Sequence, residues 1–190
     1  MTRMIPKSGN RFSDKIMRMK MPRRHCLQFA LVAVALALAA PRTASARDVV
    51  GFGGSYHPGT IVIVTQAREL YFVLGGGQAI RYPVGVGRAG MAWNGRAQIA
   101  EKFLRPAWGP PADIALANPN IPLVIPGGSP RNPMGAAAMG LNRGNYAIHG
   151  TNDPGSIGRF VSHGCIRMFN EDILDLYRRA PVGTEVFVLR

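Results

Sequence analysis

The chain has 190 residues and a formal charge of +13, length for one domain with an appendage. Residues 1–46 hold nine basic residues and one acid, so +8 of the charge lies there and the remaining residues carry +5. Those later basic residues are scattered rather than clustered, which excludes reading the charge as a nucleic-acid surface.

Eight basic residues precede position 25, residues 27–40 are almost wholly apolar, and Ala44-Ser45-Ala46 supplies small residues for cleavage. This pattern predicts a basic segment and cleavable signal peptide over 1–46. The apolar run is shorter than the roughly 20 residues a membrane span requires, so no permanent span is expected once the leader is removed. The expected destination is the periplasm or cell envelope. Arg23-Arg24 leaves both the twin-arginine and the general secretory routes open. Cys26 precedes the apolar run and would depart with the leader, leaving Cys165 as the one cysteine of an exported chain, a thiol that is either reactive or intermolecular.

Residues 47–59 are Gly-rich and read as an irregular arm. Residues 60–65 (T-I-V-I-V-T) and 70–74 (L-Y-F-V-L) are β-branched and aromatic runs around a polar link, which predicts a hairpin. Three glycines lead into a third strand over 79–87, where Pro83 marks an edge or a bulge. A loop over 88–95 contains Trp93, read as a packing residue, and residues 96–103 alternate as a strand. Trp108 with Gly109, Pro110 and Pro111 marks a turn, and Asp113 starts a short helix through Ala117. Residues 118–135 hold five prolines and three glycines, predicting an ordered surface loop that could wall or cover a cleft. Strands follow over 136–141 and 146–149.

The clearest helix begins at Asn170, read as its N-cap, with Glu171 and Asp172 in the first turn and Arg178 and Arg179 in the last. Ile173, Leu174, Leu176 and Tyr177 form its apolar face. Pro181 and Gly183 stop it, and residues 184–189 form a last strand. The fold class is therefore mainly β, a sandwich or partly open barrel of mixed strands with one helix near the C-terminal end.

The chemistry concentrates in residues 146–168. A thiol becomes a good nucleophile when a base or a positive field raises its thiolate fraction. Cys165 has His149 sixteen residues upstream, His163 two upstream and Arg167 two downstream, and Gly164 before it lets the backbone turn and aim amides at a developing oxyanion. The competing reading is a small buried cysteine with satisfied histidines.

His149-Gly150-Thr151 and Ser162-His163-Gly164-Cys165-Ile166-Arg167 resemble the signature of YkuD-type L,D-transpeptidases, cysteine enzymes that remodel peptidoglycan. Pro83 to Gly87 (P-V-G-V-G), the Trp108 turn, Asn132-Pro133-Met134-Gly135 and Val182-Gly183-Thr184 extend the resemblance over a catalytic domain spanning 60–190. The resemblance implies that Cys165 attacks the carbonyl of the third stem-peptide residue and releases D-alanine, with His149 as general base oriented by the Gly150 carbonyl. Amides around His163, Gly164 and Cys165 would bind the oxyanion, and Ser162, His163 and Arg167 would support the turn or a substrate carboxylate. It implies no metal or organic cofactor, and a monomer is expected. The acyl acceptor would be an amine on another stem peptide or on an anchored outer-membrane protein; with water instead, the enzyme would be an L,D-carboxypeptidase. A non-catalytic wall-binding β domain is the alternative outside enzymology. Two positions depart from the pattern. Trp93-Asn94-Gly95 stands where many members carry Thr-Pro before the glycine, and Ile166-Arg167 replaces an apolar residue and asparagine.

Overall fold

A computed structural model describes residues 47–190, so the expected leader over 1–46 lies outside the described residues. Among the described residues, no helix is long and apolar enough to cross a membrane.

The expected hairpin is present as β2 (Ile61–Val64) and β3 (Glu69–Gly75), paired antiparallel. Ile61, Val62 and Ile63 are fully buried, as an uninterrupted apolar run requires when both faces of its sheet are covered. β4 (Gln78–Pro83) extends the sheet beyond β3, and β1 (Asp48–Gly51) pairs antiparallel with β4. Residues 48–51 are thus a strand rather than irregular chain: Val49 and Val50 suit extended backbone, and Asp48 meets Arg81 across the pair at 3.2 Å. The predicted third strand also divides. It ends at Pro83, which has no amide to give a ladder, and resumes as β5 (Val86–Gly87) on a different partner, β9 (Phe160–Ser162).

On its other side β2 runs parallel to the last strand, β11 (Glu185–Leu189). β6 (Gly95–Leu104) joins the two halves of the sheet. Its first residues pair with β11, and from Ile99 onward it pairs with β7 (Ala137–Leu141), with a register shift between Ile99 and Glu101. β8 (Ala147–His149) follows β7 antiparallel, and β10 (Ile166–Arg167) lies parallel to β8. The strand order β1-β4-β3-β2-β11-β6-β7-β8-β10 is open, so the mixed sheet does not close into a barrel.

Both halves face one core. Ile61, Ile63, Leu70 and Tyr82 from one half meet Met139, Ile148 and Ile166 from the other. Each fully buried aliphatic side chain contributes about 2 kcal/mol. The short helix α1 (Ala112–Ala117) buries none of its residues, whereas α2 (Asn170–Arg179) sets Ile173 and Leu176 into the core. Acids at the start of α2 and arginines at its end match the helix dipole as expected. Its N-cap, however, is Phe169, which makes no side-chain cap; Asn170 is the first helical residue and its amide is used elsewhere. Residues 118–135 form a loop tied back by reciprocal backbone hydrogen bonds between Trp108 and Ile125, 2.9 and 2.7 Å.

Candidate active site

The parallel pairing of β8 and β10 determines what can meet. Ile166 lies opposite Ile148 and Arg167 opposite His149, so Cys165, one residue before β10, comes beside Ala147. Residues opposite one another share a face, and alternate residues along a strand do too. His149 and Cys165 therefore occupy the same face, two residues apart along adjacent strands. The Met168 amide donates to the His149 carbonyl at 2.8 Å, continuing the pairing past the cysteine.

His149 is buried, and its Nδ1 lies 2.6 Å from the Gly150 carbonyl oxygen. A carbonyl only accepts, so Nδ1 carries the proton and Nε2 is the basic nitrogen of the neutral ring. Burial pushes the ring down to about 4, because the charged form loses its hydration; the Gly150 and Pro133 carbonyls oppose that shift and Arg167 adds to it. The imidazole is neutral across the neutral range.

Gly150 is held by Asn170. The Oδ1 of Asn170 accepts from the amides of Ala136 (2.9 Å) and Thr151 (3.2 Å), and its Nδ2 donates to the Thr151 carbonyl (3.0 Å). A Cβ at Gly135 or Gly150 would come within 2.2 or 2.3 Å of that Oδ1. Asn170 itself is exposed, whereas Asn132 is buried: its Nδ2 faces the carbonyls of Pro106, Ile125 and Pro126, and its Oδ1 takes the Met134 amide. Both asparagines were missed as positioning residues in the sequence. Asn132 sits in a motif visible there, but Asn170 has the appearance of an ordinary cap.

The turn before Cys165 is held from three sides. Ser162 Oγ donates to the Cys165 carbonyl at 2.6 Å and accepts from the Gly164 amide at 3.1 Å. Trp93 Nε1 donates to the Gly164 carbonyl at 3.0 Å. Gly164 has φ +119°, and a Cβ there would lie 2.3 Å from the Tyr146 ring. Cys165 is half-buried, with Sγ 3.8 Å from the Asn145 carbonyl oxygen. Burial pushes its thiol above the ordinary range, outweighing the Ala147 backbone and Arg167, which pull it down. A standing thiolate held by histidine and arginine is therefore not what the structure supports; thiol and imidazole are both neutral at rest.

His163 Nε2 lies 3.9 Å from Asp113 Oδ2 of α1, which brings the turn beside that helix. Arg167 acts on both His149 and Cys165 through its charge, while its own Nε is buried without a hydrogen-bond partner among the described residues. A cavity of about 240 Å³ lined by Arg105, Ser129, Asn132, Thr151 and Asn170 lies beside this frame, and its lining does not include Cys165. Among the described residues no group of three metal-binding side chains occurs.

Residues 58–188 match the YkuD family, the L,D-transpeptidase catalytic domain. The chain belongs to that family. This L,D-transpeptidase domain is 39% identical over 136 residues to the probable L,D-transpeptidase YbiS of Escherichia coli K12, covering 68% of this chain and 44% of the relative. It thus spans less than half the length of that curated relative. An L,D-transpeptidase structure from Mycobacterium smegmatis shares the fold at TM-score 0.55 and 20% identity, over 69% of this chain and 58% of that one. A Brucella melitensis structure, described as a probable carnitine operon oxidoreductase, is 41% identical with TM-score 0.51, over 80% of this chain and 97% of that one. Gly85, Gly87 and Gly90 of the L,D-transpeptidase domain do have the spacing of a dinucleotide-binding turn. They lead from β5 through a loop into β6, however, and not into the helix N-terminus that binds a pyrophosphate.

Proposed function

We propose that this L,D-transpeptidase domain exchanges amide bonds in peptidoglycan stem peptides through a thioester on Cys165, with His149 as general base. The observation that carries this reading is the β8–β10 register, which sets the cysteine and a Nδ1-protonated histidine on one face of adjacent strands.

The chemistry follows from the resting protonation. Nε2 of His149 takes the thiol proton as Sγ attacks the carbonyl carbon of the third stem residue, so activation coincides with attack. The tetrahedral oxyanion needs donors that are not already committed. Gly164 gives its amide to Ser162, which leaves the role to the backbone amides of His163 and Cys165, each worth about 3 kcal/mol to the transition state. Collapse breaks the carbon–nitrogen bond, the His149 proton goes to the departing D-alanine amine, and a thioester remains. An incoming amine, on another stem peptide or on an anchored outer-membrane protein, attacks that thioester, passing its proton to His149, and the thiol reforms. Export to the periplasm or envelope, with residues 1–46 as the leader, belongs to the same reading, as does a catalytic unit over 60–190.

The test is to incubate the purified protein with a tetrapeptide-stem muropeptide and follow intact mass. The expected product is an adduct on Cys165 equal to the muropeptide less D-alanine, abolished in Cys165→Ala and His149→Ala. Undiminished processing by Cys165→Ala would remove the cysteine from the mechanism.

A further inference from the structure

We propose that Trp93 is a positioning residue for acylation, whose indole N–H orients the Gly164–Cys165 peptide so that the Cys165 amide faces the developing oxyanion. The inference rests on the reading of Cys165 as nucleophile given above.

The argument begins with the peptide plane. No cis bond is present among the described residues, and in a trans peptide the C=O and N–H point in opposite directions. Whatever fixes the Gly164 carbonyl therefore fixes the direction of the Cys165 N–H. Trp93 Nε1 holds that carbonyl at 3.0 Å, and an indole nitrogen is a donor only, so the bond can form in one sense alone. Glycine at 164 has the widest backbone freedom of any residue and no side chain of its own to anchor it.

The indole itself is held on a rigid stack. Its ring lies parallel to Tyr146, 5.1 Å between centroids and 7° between planes, and the Arg143 guanidinium sits 5.0 Å from its centroid. Gly95 leaves room for that arginine: a Cβ there would come within 3.0 Å of Arg143 Nη1. Tyr146 immediately precedes β8, the strand that ends in His149, and its ring fills the space that a Cβ at Gly164 would take. One buried side chain therefore fixes the nucleophile's turn against the strand that carries the base.

A packing residue and an orienting residue respond differently to loss of the N–H alone. Two variants isolate it: Trp93→Phe, and replacement of Trp93 by benzothienylalanine, which keeps the indole shape and stack but has sulfur in place of the N–H. For each, the acylation rate constant and KM with the tetrapeptide-stem muropeptide are compared with alkylation by iodoacetamide across pH. Alkylation forms a carbon–sulfur bond, expels iodide and releases the thiol proton, with no oxyanion. The expected result is an acylation rate constant lower by roughly tenfold or more, with KM, the alkylation rate and its pH midpoint within about twofold of the parent. Unchanged acylation in the benzothienyl protein overturns the proposal. So does a parallel fall in acylation and alkylation, which would place the effect on the thiol or the fold. If the parent protein forms no adduct while its thiol alkylates normally, the transpeptidase reading fails and the inference with it.

Discussion

The turn over residues 162–165 and the inward face of α2 both bury polar atoms, yet they treat them in opposite ways. In the turn, one serine hydroxyl serves two backbone groups and an indole serves a third, all between 2.6 and 3.1 Å. In α2 the distribution is lopsided. Asp175 takes the Arg179 fork at 2.8 and 3.1 Å and the Tyr82 hydroxyl at 2.7 Å, and Arg179 leads the contacts that hold it down at about 2. Asp172 is fully buried, neither of its oxygens has a hydrogen-bond partner among the described residues, and burial pushes it up to about 6 despite Arg47 at 3.9 Å. Saturated polar atoms leave no alternative conformation of comparable energy, whereas an unsatisfied carboxylate leaves stability exposed to pH.

The most severe way to break this contrast is Gly164→Ala. Its methyl must enter the Tyr146 ring at a positive φ, and the expected loss is about 4 kcal/mol in chemical denaturation, with acylation abolished. A loss under about 1 kcal/mol would mean that the turn has slack. Next is Asn170→Ala, which removes three hydrogen bonds from the frame around Gly150; it should lower unfolding free energy by about 3 kcal/mol and slow acylation more than alkylation. Asp172→Asn sharpens the other side. A carboxyl whose folded value is raised favours folding least once both states are ionised, so its penalty is absent below about pH 4 and full above about pH 6. The substitution should therefore raise unfolding free energy by about 2 kcal/mol near pH 7.5 and by nothing near pH 3.5. Smallest is the shift in thiol reactivity: iodoacetamide alkylation of Cys165 should rise with a midpoint above the free-thiol value of about 8.5. A plateau well below it would restore a standing thiolate.

The hairpin, the C-terminal strand and α2 were legible because each is a sustained local pattern: T-I-V-I-V-T, T-E-V-F-V-L, and an apolar face bounded by charges of the right sign. The proximity of His149 and Cys165 in sequence was legible too, though their shared face depends on a parallel register that no local pattern encodes. Trp93 illustrates the limit. As a residue in a Gly-rich loop it looked like packing, and it is buried, but its hydrogen bond is to a carbonyl 71 residues away. Asn170 fails for a related reason. Its residue type and position both fit a cap, and only the close approach of residues 135–136 and 150–151 diverts its amide from that duty. Residues 48–51 escaped because four residues become a strand when β4 offers an edge, which their own composition does not announce.

The asparagine clasp carries an evolutionary consequence. Gly135, Gly150 and Asn170 crowd around one amide oxygen, and any methyl on either glycine would collide with it. Backbone crowds the glycines too, since a Cβ at Gly135 would lie 2.4 Å from the Thr151 nitrogen and one at Gly150 would lie 2.9 Å from the Ala136 nitrogen. The asparagine is therefore the member of the clasp that can change first, and the two glycines should persist in lineages that have lost it.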